Sequence, residues 1–126
     1  MTTESLALDA VLPEHEGMAG TFQIFMQVKT TRHWLDLPNH ERQAFFRDVV
    51  WPILRRRPQV THRYFECEAF SAEASDILVW ETTDLNAWAW VADHLRETLF
   101  WDHYFEVVQI LPAMEANYPM TMGDAA

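Results

Sequence analysis

The sharpest chemical feature of this 126-residue chain is the run His62, Tyr64, Glu66 and Glu68, spaced by two. Residues two apart on an extended strand point to the same side, so an imidazole, a phenol and two carboxylates can converge on one ligand. Two carboxylates held close repel when both are ionised, which raises one pKa and makes the pair a proton shuttle. Lys29, on another strand, would hold or polarise an oxygen of the ligand. Read without chemistry, the same row is a solvated face whose acids pair with Lys29 across strands. Spacing alone does not choose between the two.

Other sites have less support. A metal could take His62 with Glu66 or Glu68, joined by His94 or His103, but no spacing matches a ligand motif such as HExxH, and no metal is expected. Asp93-His94 and Asp102-His103 are chain neighbours, and neighbours on a helix do not face each other. None of the three glycines sits between a strand and a helix, so a phosphate-cradling loop is absent and no nucleotide cofactor is expected.

The elements that must position these groups follow from periodicity. Thr21 to Thr30 alternates Phe22, Ile24, Met26 and Val28 with Gln23, Phe25, Gln27 and Lys29, a strand with one apolar and one mixed face. Pro38 opens a helix as its first residue. Phe45, Val49 and Ile53, widened by Phe46, Val50 and Leu54, give that helix a broad buried stripe. Pro52 should kink or restart it, because the ring lacks an N–H and collides with a carbonyl one turn back. The basic run Arg55-Arg56-Arg57 falls where the helix ends, complementing its dipole.

The second strand groups His62, Tyr64, Glu66, Glu68 and Phe70 against Phe65, Cys67 and Ala69. Its apolar set is expected to meet the helices, leaving the polar row on the other face. Across a short turn DILVWETT forms a third strand, giving an antiparallel hairpin. Asp84 caps a second helix that buries Trp88, Val91, Ala92, Leu95 and Leu99. VVQILP closes the chain as a fourth strand. The order βαββαβ is the α+β, ferredoxin-like plan, with two helices on one face of a four-stranded antiparallel sheet.

In that plan the face carrying Gln23, Phe25, Gln27, Lys29, His62, Tyr64, Glu66, Glu68, Phe70, Trp80 and Gln109 has no cover from its own chain. Large exposed aromatics in a cluster imply an interface, so a second copy is expected to pack there as a dimeric α+β barrel. The row would then line a pocket for a small-molecule substrate, with Phe25, Phe70 and Trp80 as apolar wall and Gln27 and Gln109 as polar contacts. Alternatively the row interdigitates with its mate and leaves no cavity.

Composition sets outer limits. The hydrophobic fraction of 49% suits one globular domain, and the net charge of −10 repels nucleic acid and anionic membrane surfaces. One cysteine, Cys67, forms no intramolecular disulfide. Residues 1–20 read as a mobile leader without a basic signal-peptide start, 21–118 as the domain and 119–126 as a flexible tail. No apolar run is long enough to span a bilayer, so a cytoplasmic location is expected.

KTTRHWL (Lys29 to Leu35), FECEAFSA with the preceding Arg63, DILVWET (Asp76 to Thr82), LRETLFW (Leu95 to Trp101) and YFEVVQILP (Tyr104 to Pro112) together resemble the darcynin family. The resemblance spans about residues 21 to 118. It implies the dimeric α+β barrel and no particular reaction. The wider barrel group that darcynins resemble includes cofactor-independent monooxygenases, isomerases and cyclases of polyketide-type pathways, and haem-handling enzymes. The expectation is a cofactor-independent cyclase, isomerase or oxygenase acting on a hydrophobic aromatic or polyketide-like small molecule. The alternatives are a non-catalytic dimeric binding or structural protein, and a haem-binding barrel. For the last, Trp80, Glu81, Trp88 or Trp90, and His103 are faintly similar to the haem-degrading members.

Overall fold

A computed structural model describes residues 20–116; the leader and tail expected at 1–20 and 119–126 lie, apart from Gly20, outside the described residues. The elements are β1 (Phe22–Thr30), α1 (Arg32–Leu35), α2 (Asn39–Phe45), a π-helical stretch (Phe46–Val50), α3 (Trp51–Arg55), β2 (Thr61–Glu66), β3 (Asp76–Thr82), α4 (Leu85–Arg96) and β4 (Phe105–Ala113). The four strands form one antiparallel sheet in the order β2-β3-β1-β4. This is the ferredoxin-like α+β arrangement that the periodicity predicts.

The core lies between one sheet face and the helices. Ile24, Met26 and Val28 of β1 are fully buried, with Leu78 and Trp80 of β3 beside them and Val91 and Leu95 of α4 above. Each such side chain removed from water contributes roughly 1.5–3 kcal/mol before entropy is counted. Trp80, 1% exposed, also finds a partner for its indole N–H in Met26 Sδ at 3.3 Å.

Local chemistry sets the helix ends. Asp84 caps α4 as expected, accepting from the Asn86 N–H at 2.9 Å. Pro38 is the cap residue of α2 and not its first helical residue, and Asp36 instead ends α1, a short helix the pattern did not predict. Thr31 caps α1, and its backbone N–H donates to the Tyr104 carbonyl at 3.0 Å, tying the helix to the start of β4.

At Pro52 the helix neither stops nor breaks. The Trp51 N–H donates five residues back, to the Phe46 carbonyl, and the widened turn precedes the proline. Pro52 offers no N–H and its ring would strike the Asp48 carbonyl in a regular α-helix; a π turn opens the ladder there.

Candidate functional site

β2 is an edge strand, and its alternation carries His62, Tyr64 and Glu66 to one side as the spacing predicts. That side is the helix side, opposite to the expectation. His62 pairs with Trp80 and Tyr64 with Leu78, both core residues, and the His62 ring lies 5.5 Å from Trp80 and 5.4 Å from Trp51 of α3. Trp80 is therefore not on the open face either. Bulk decides the inversion: β3 turns its largest ring toward the helices, and the register forces His62 with it, leaving Phe65 on the outer face.

Three further expectations are corrected. β2 ends at Glu66, because the N–H groups of Phe70 and Ser71 both turn back to the Cys67 carbonyl at 2.9 and 3.1 Å. Glu68 and Phe70 therefore lie in the turn and not in the row, with Phe70 90% exposed. Lys29 lies on the open face opposite Glu106 and donates to the Ala72 carbonyl at 3.3 Å, fastening the turn. Phe25, Gln27 and Gln109 do share the open face, where Phe25 opposes Val79 and Leu111, and Gln27 opposes Ile77 and Gln109. The ten proposed site residues are thus divided between the two sides of the sheet and a turn.

What the helix side assembles is a cleft of about 470 Å³ lined by Trp34, Asn39, Arg42, Gln43, Phe46, Trp51, Tyr64 and Glu66. Trp34, Phe46 and Trp51 form the apolar wall, with Phe46 edge-on to Trp34 at 5.6 Å and tilted against Trp51 at 5.4 Å. Arg42 is held in place: Nε donates to the Trp34 carbonyl at 3.2 Å and Nη2 to the Leu35 carbonyl at 2.9 Å, which caps α1. A guanidinium has five donors in a fixed fork, so Nη1 remains for a ligand.

Behind Tyr64 lies Asp76, 4% exposed and hydrogen-bonded at 2.7 Å to the Ser75 hydroxyl. Burial raises the Asp76 pKa, and Glu66 and Glu68 add to it, while hydrogen bonds from Ser75 and Tyr64 oppose it. Tyr64 is pushed far above the ordinary phenol value, first by burial and then by the Asp76 carboxylate. It stays protonated at any physiological pH. His62 is pushed down by burial, which keeps the imidazole neutral where a free one would titrate. The cleft therefore holds a neutral phenol beside a buried carboxyl, together with an exposed carboxylate and a fixed cation.

Sequence reasoning missed Trp34, Arg42, Gln43, Trp51 and Asp76. Gln43, Phe46 and Val50 do recur at helical spacing, a signal that pointed to one face of the helix. Trp34 belongs to α1, too short to leave a periodic trace. Among the described residues no group of three or more His, Cys, Asp or Glu could hold a metal ion. The haem set does not assemble: Trp80 is core, Glu81 is exposed, Trp90 lies under Arg57 at 3.9 Å, and His103 stacks on His33 at 4.2 Å. The space between Trp51, Trp80 and Phe100 amounts to a void of about 10 Å³, far too small for a macrocycle.

Residues 9–126 match the family model described as "Darcynin, domain of unknown function". A darcynin homolog of Granulibacter bethesdensis is 38% identical over 104 residues, 82% of this chain and 84% of that protein. A darcynin homolog of Streptomyces avermitilis is 44% identical over 100 residues, 79% and 83% of the two chains. The chain belongs to the darcynin family. Among solved structures it resembles chlorite dismutase of Candidatus Nitrospira defluvii in complex with imidazole, with a TM-score of 0.67 at 13% identity over 83% of this chain. It spans only 44% of that enzyme's length. A dimeric chlorite dismutase of Nitrobacter winogradskyi gives a TM-score of 0.62 at 17% identity, over 75% of this chain and 58% of that one. At these identities the likeness is one of fold. No helix among the described residues is long and apolar enough to cross a membrane.

Proposed function

We propose that this darcynin-family protein binds an oxygenated aromatic small molecule in the cleft between α2, α3 and β2 and moves a proton on it without a cofactor. Isomerase and cyclase chemistry both need that step. The observation that carries the reading is convergence: three aromatic walls, a clamped guanidinium, an amide, a phenol and a carboxylate line one cleft.

Each group has a role within that reading. Glu66 takes the proton from the carbon next to a substrate carbonyl, and the electron pair moves into the new carbon–carbon double bond. Gln43 and Arg42 Nη1 hold the resulting enolate oxygen, a stabilisation that acts where charge develops. Tyr64, held neutral above the buried Asp76, offers its phenolic oxygen to a substrate hydroxyl. Trp34, Phe46 and Trp51 enclose the rings. The protein acts as a homodimer whose open sheet faces meet; Phe25, Phe65 and Leu111 stand there 39%, 41% and 51% exposed, an apolar row that a second copy would cover.

2-Tetralone, a bicyclic ketone with acidic protons beside its carbonyl, tests the reaction. The native protein is expected to speed exchange of those protons with D2O, and Glu66→Gln to cut the rate by about 10²–10⁴ with ligand affinity retained. Exchange no faster than in buffer carrying the same concentration of acetate would overturn the proposal.

A further inference from the structure

Trp51 lines more than one cavity. On its far side α3 and β2 enclose a second cleft of about 410 Å³, bounded by Leu54, Arg55, Pro58, Thr61 and His62. The small buried void beneath Trp51 shares His62 with this cleft and Tyr64 with the first one. The two clefts thus meet at one indole and the His62 ring tilted against it at 5.4 Å. His62 and Glu66 lie four residues apart on β2, about 13 Å at the strand rise, the length of a substituted two-ring molecule.

The two ends differ in charge. The first cleft carries the Glu66 carboxylate beside the Arg42 guanidinium, whose Nε and Nη2 already donate to backbone carbonyls, with Asp76 behind Tyr64. The second carries the Arg55 guanidinium, exposed and in no ion pair among the described residues, beside a neutral imidazole. In a molecule of net charge −10 the overall field disfavours anions as ligands, so an anionic substituent would be held where a cation lines the groove and no carboxylate does, as at Arg55.

We infer that the two clefts form one groove across Trp51, and that its ligand is an aromatic carboxylate: the rings against Trp51, the hydroxyl or carbonyl toward Tyr64 and Glu66, the carboxylate on Arg55. This deepens the proposed function and rests on it, since the first cleft must bind the rings for the second to bind their substituent.

Two fluorescent probes separate the claims. 2-Naphthol has the rings and hydroxyl alone; 6-hydroxy-2-naphthoic acid adds a carboxylate at the opposite end. The acid is expected to bind severalfold, up to about fivefold, more tightly than the naphthol despite the protein's negative charge, an exposed charged contact giving an effect of that order. Arg55→Gln should remove that advantage and leave 2-naphthol affinity unchanged, while Arg63→Gln, on the outer face, changes neither. Added salt should narrow the gap. If 2-naphthol binds and the acid binds equally or more weakly, or if Arg55→Gln leaves the preference intact, the groove inference falls and the first cleft stands. If neither probe binds, both readings fall.

Discussion

His62 and Asp76 face the same helix layer yet affect stability with opposite sign. The folded-state pKa of His62 is depressed, so its contribution is complete above the free imidazole value of about 6.5 and is lost as pH falls through the folded value. Asp76 is raised, so its ionisation costs nothing below about pH 4 and destabilises increasingly as pH climbs through the folded value. Denaturant unfolding at pH 5 and pH 8 should show His62→Gln narrowing its deficit against the native protein at the lower pH. Asp76→Asn, compared at pH 4 and pH 8, should become relatively more stable at the higher pH. A stability difference independent of pH in either variant would contradict the assignment. Trp80→Ala removes buried volume together with the indole N–H bond to Met26 Sδ, and should cost about 3–5 kcal/mol.

The π turn links the sequence to the site at the level of elements. Pro52→Ala restores a backbone donor and removes the ring that obstructs the α-helical ladder, so the Phe46–Val50 stretch should tighten and rotate Trp51 away from His62. Near-UV circular dichroism should change, 2-naphthol affinity should fall severalfold, and far-UV helix content should hold. Unaltered near-UV ellipticity would show that the turn does not position Trp51. The same elements show what could be read from sequence. Alternation along β1, the Asp84 cap and the grouping of His62 with Tyr64 and Glu66 were legible because each depends on spacing or one local hydrogen bond. The face on which that group sits was not legible. It depends on which strand lies at the edge and which residue of β3 opposes His62, and both are long-range facts. The bulge that shifts β4 between Val107 and Gln109 was equally hidden, and so was the end of β2, set by a turn on the Cys67 carbonyl.

For the whole molecule, the sheet separates two roles that the sequence had combined. The helix side carries the cleft, and the outer side carries Phe25, Val79, Phe65 and Leu111 with Gln27, Gln109 and Lys29 around them. Phe65→Glu with Leu111→Glu would place carboxylates in that apolar row, where burial without a partner is costly. Sedimentation equilibrium should find the native protein dimeric and the double variant monomeric with its 2-naphthol affinity unchanged. A native monomer would remove the interface, and a dimeric variant would place it elsewhere. The central claim is that ligand binds on the helix side, and its most direct test is amide and indole chemical-shift mapping as 2-naphthol is added. The account predicts that the Trp34 and Trp51 indole N–H signals move, together with the Gln43, Tyr64 and Glu66 amides. Shifts confined to Phe25, Gln27, Val79 and Leu111 would contradict it and return the site to the open face of the sheet.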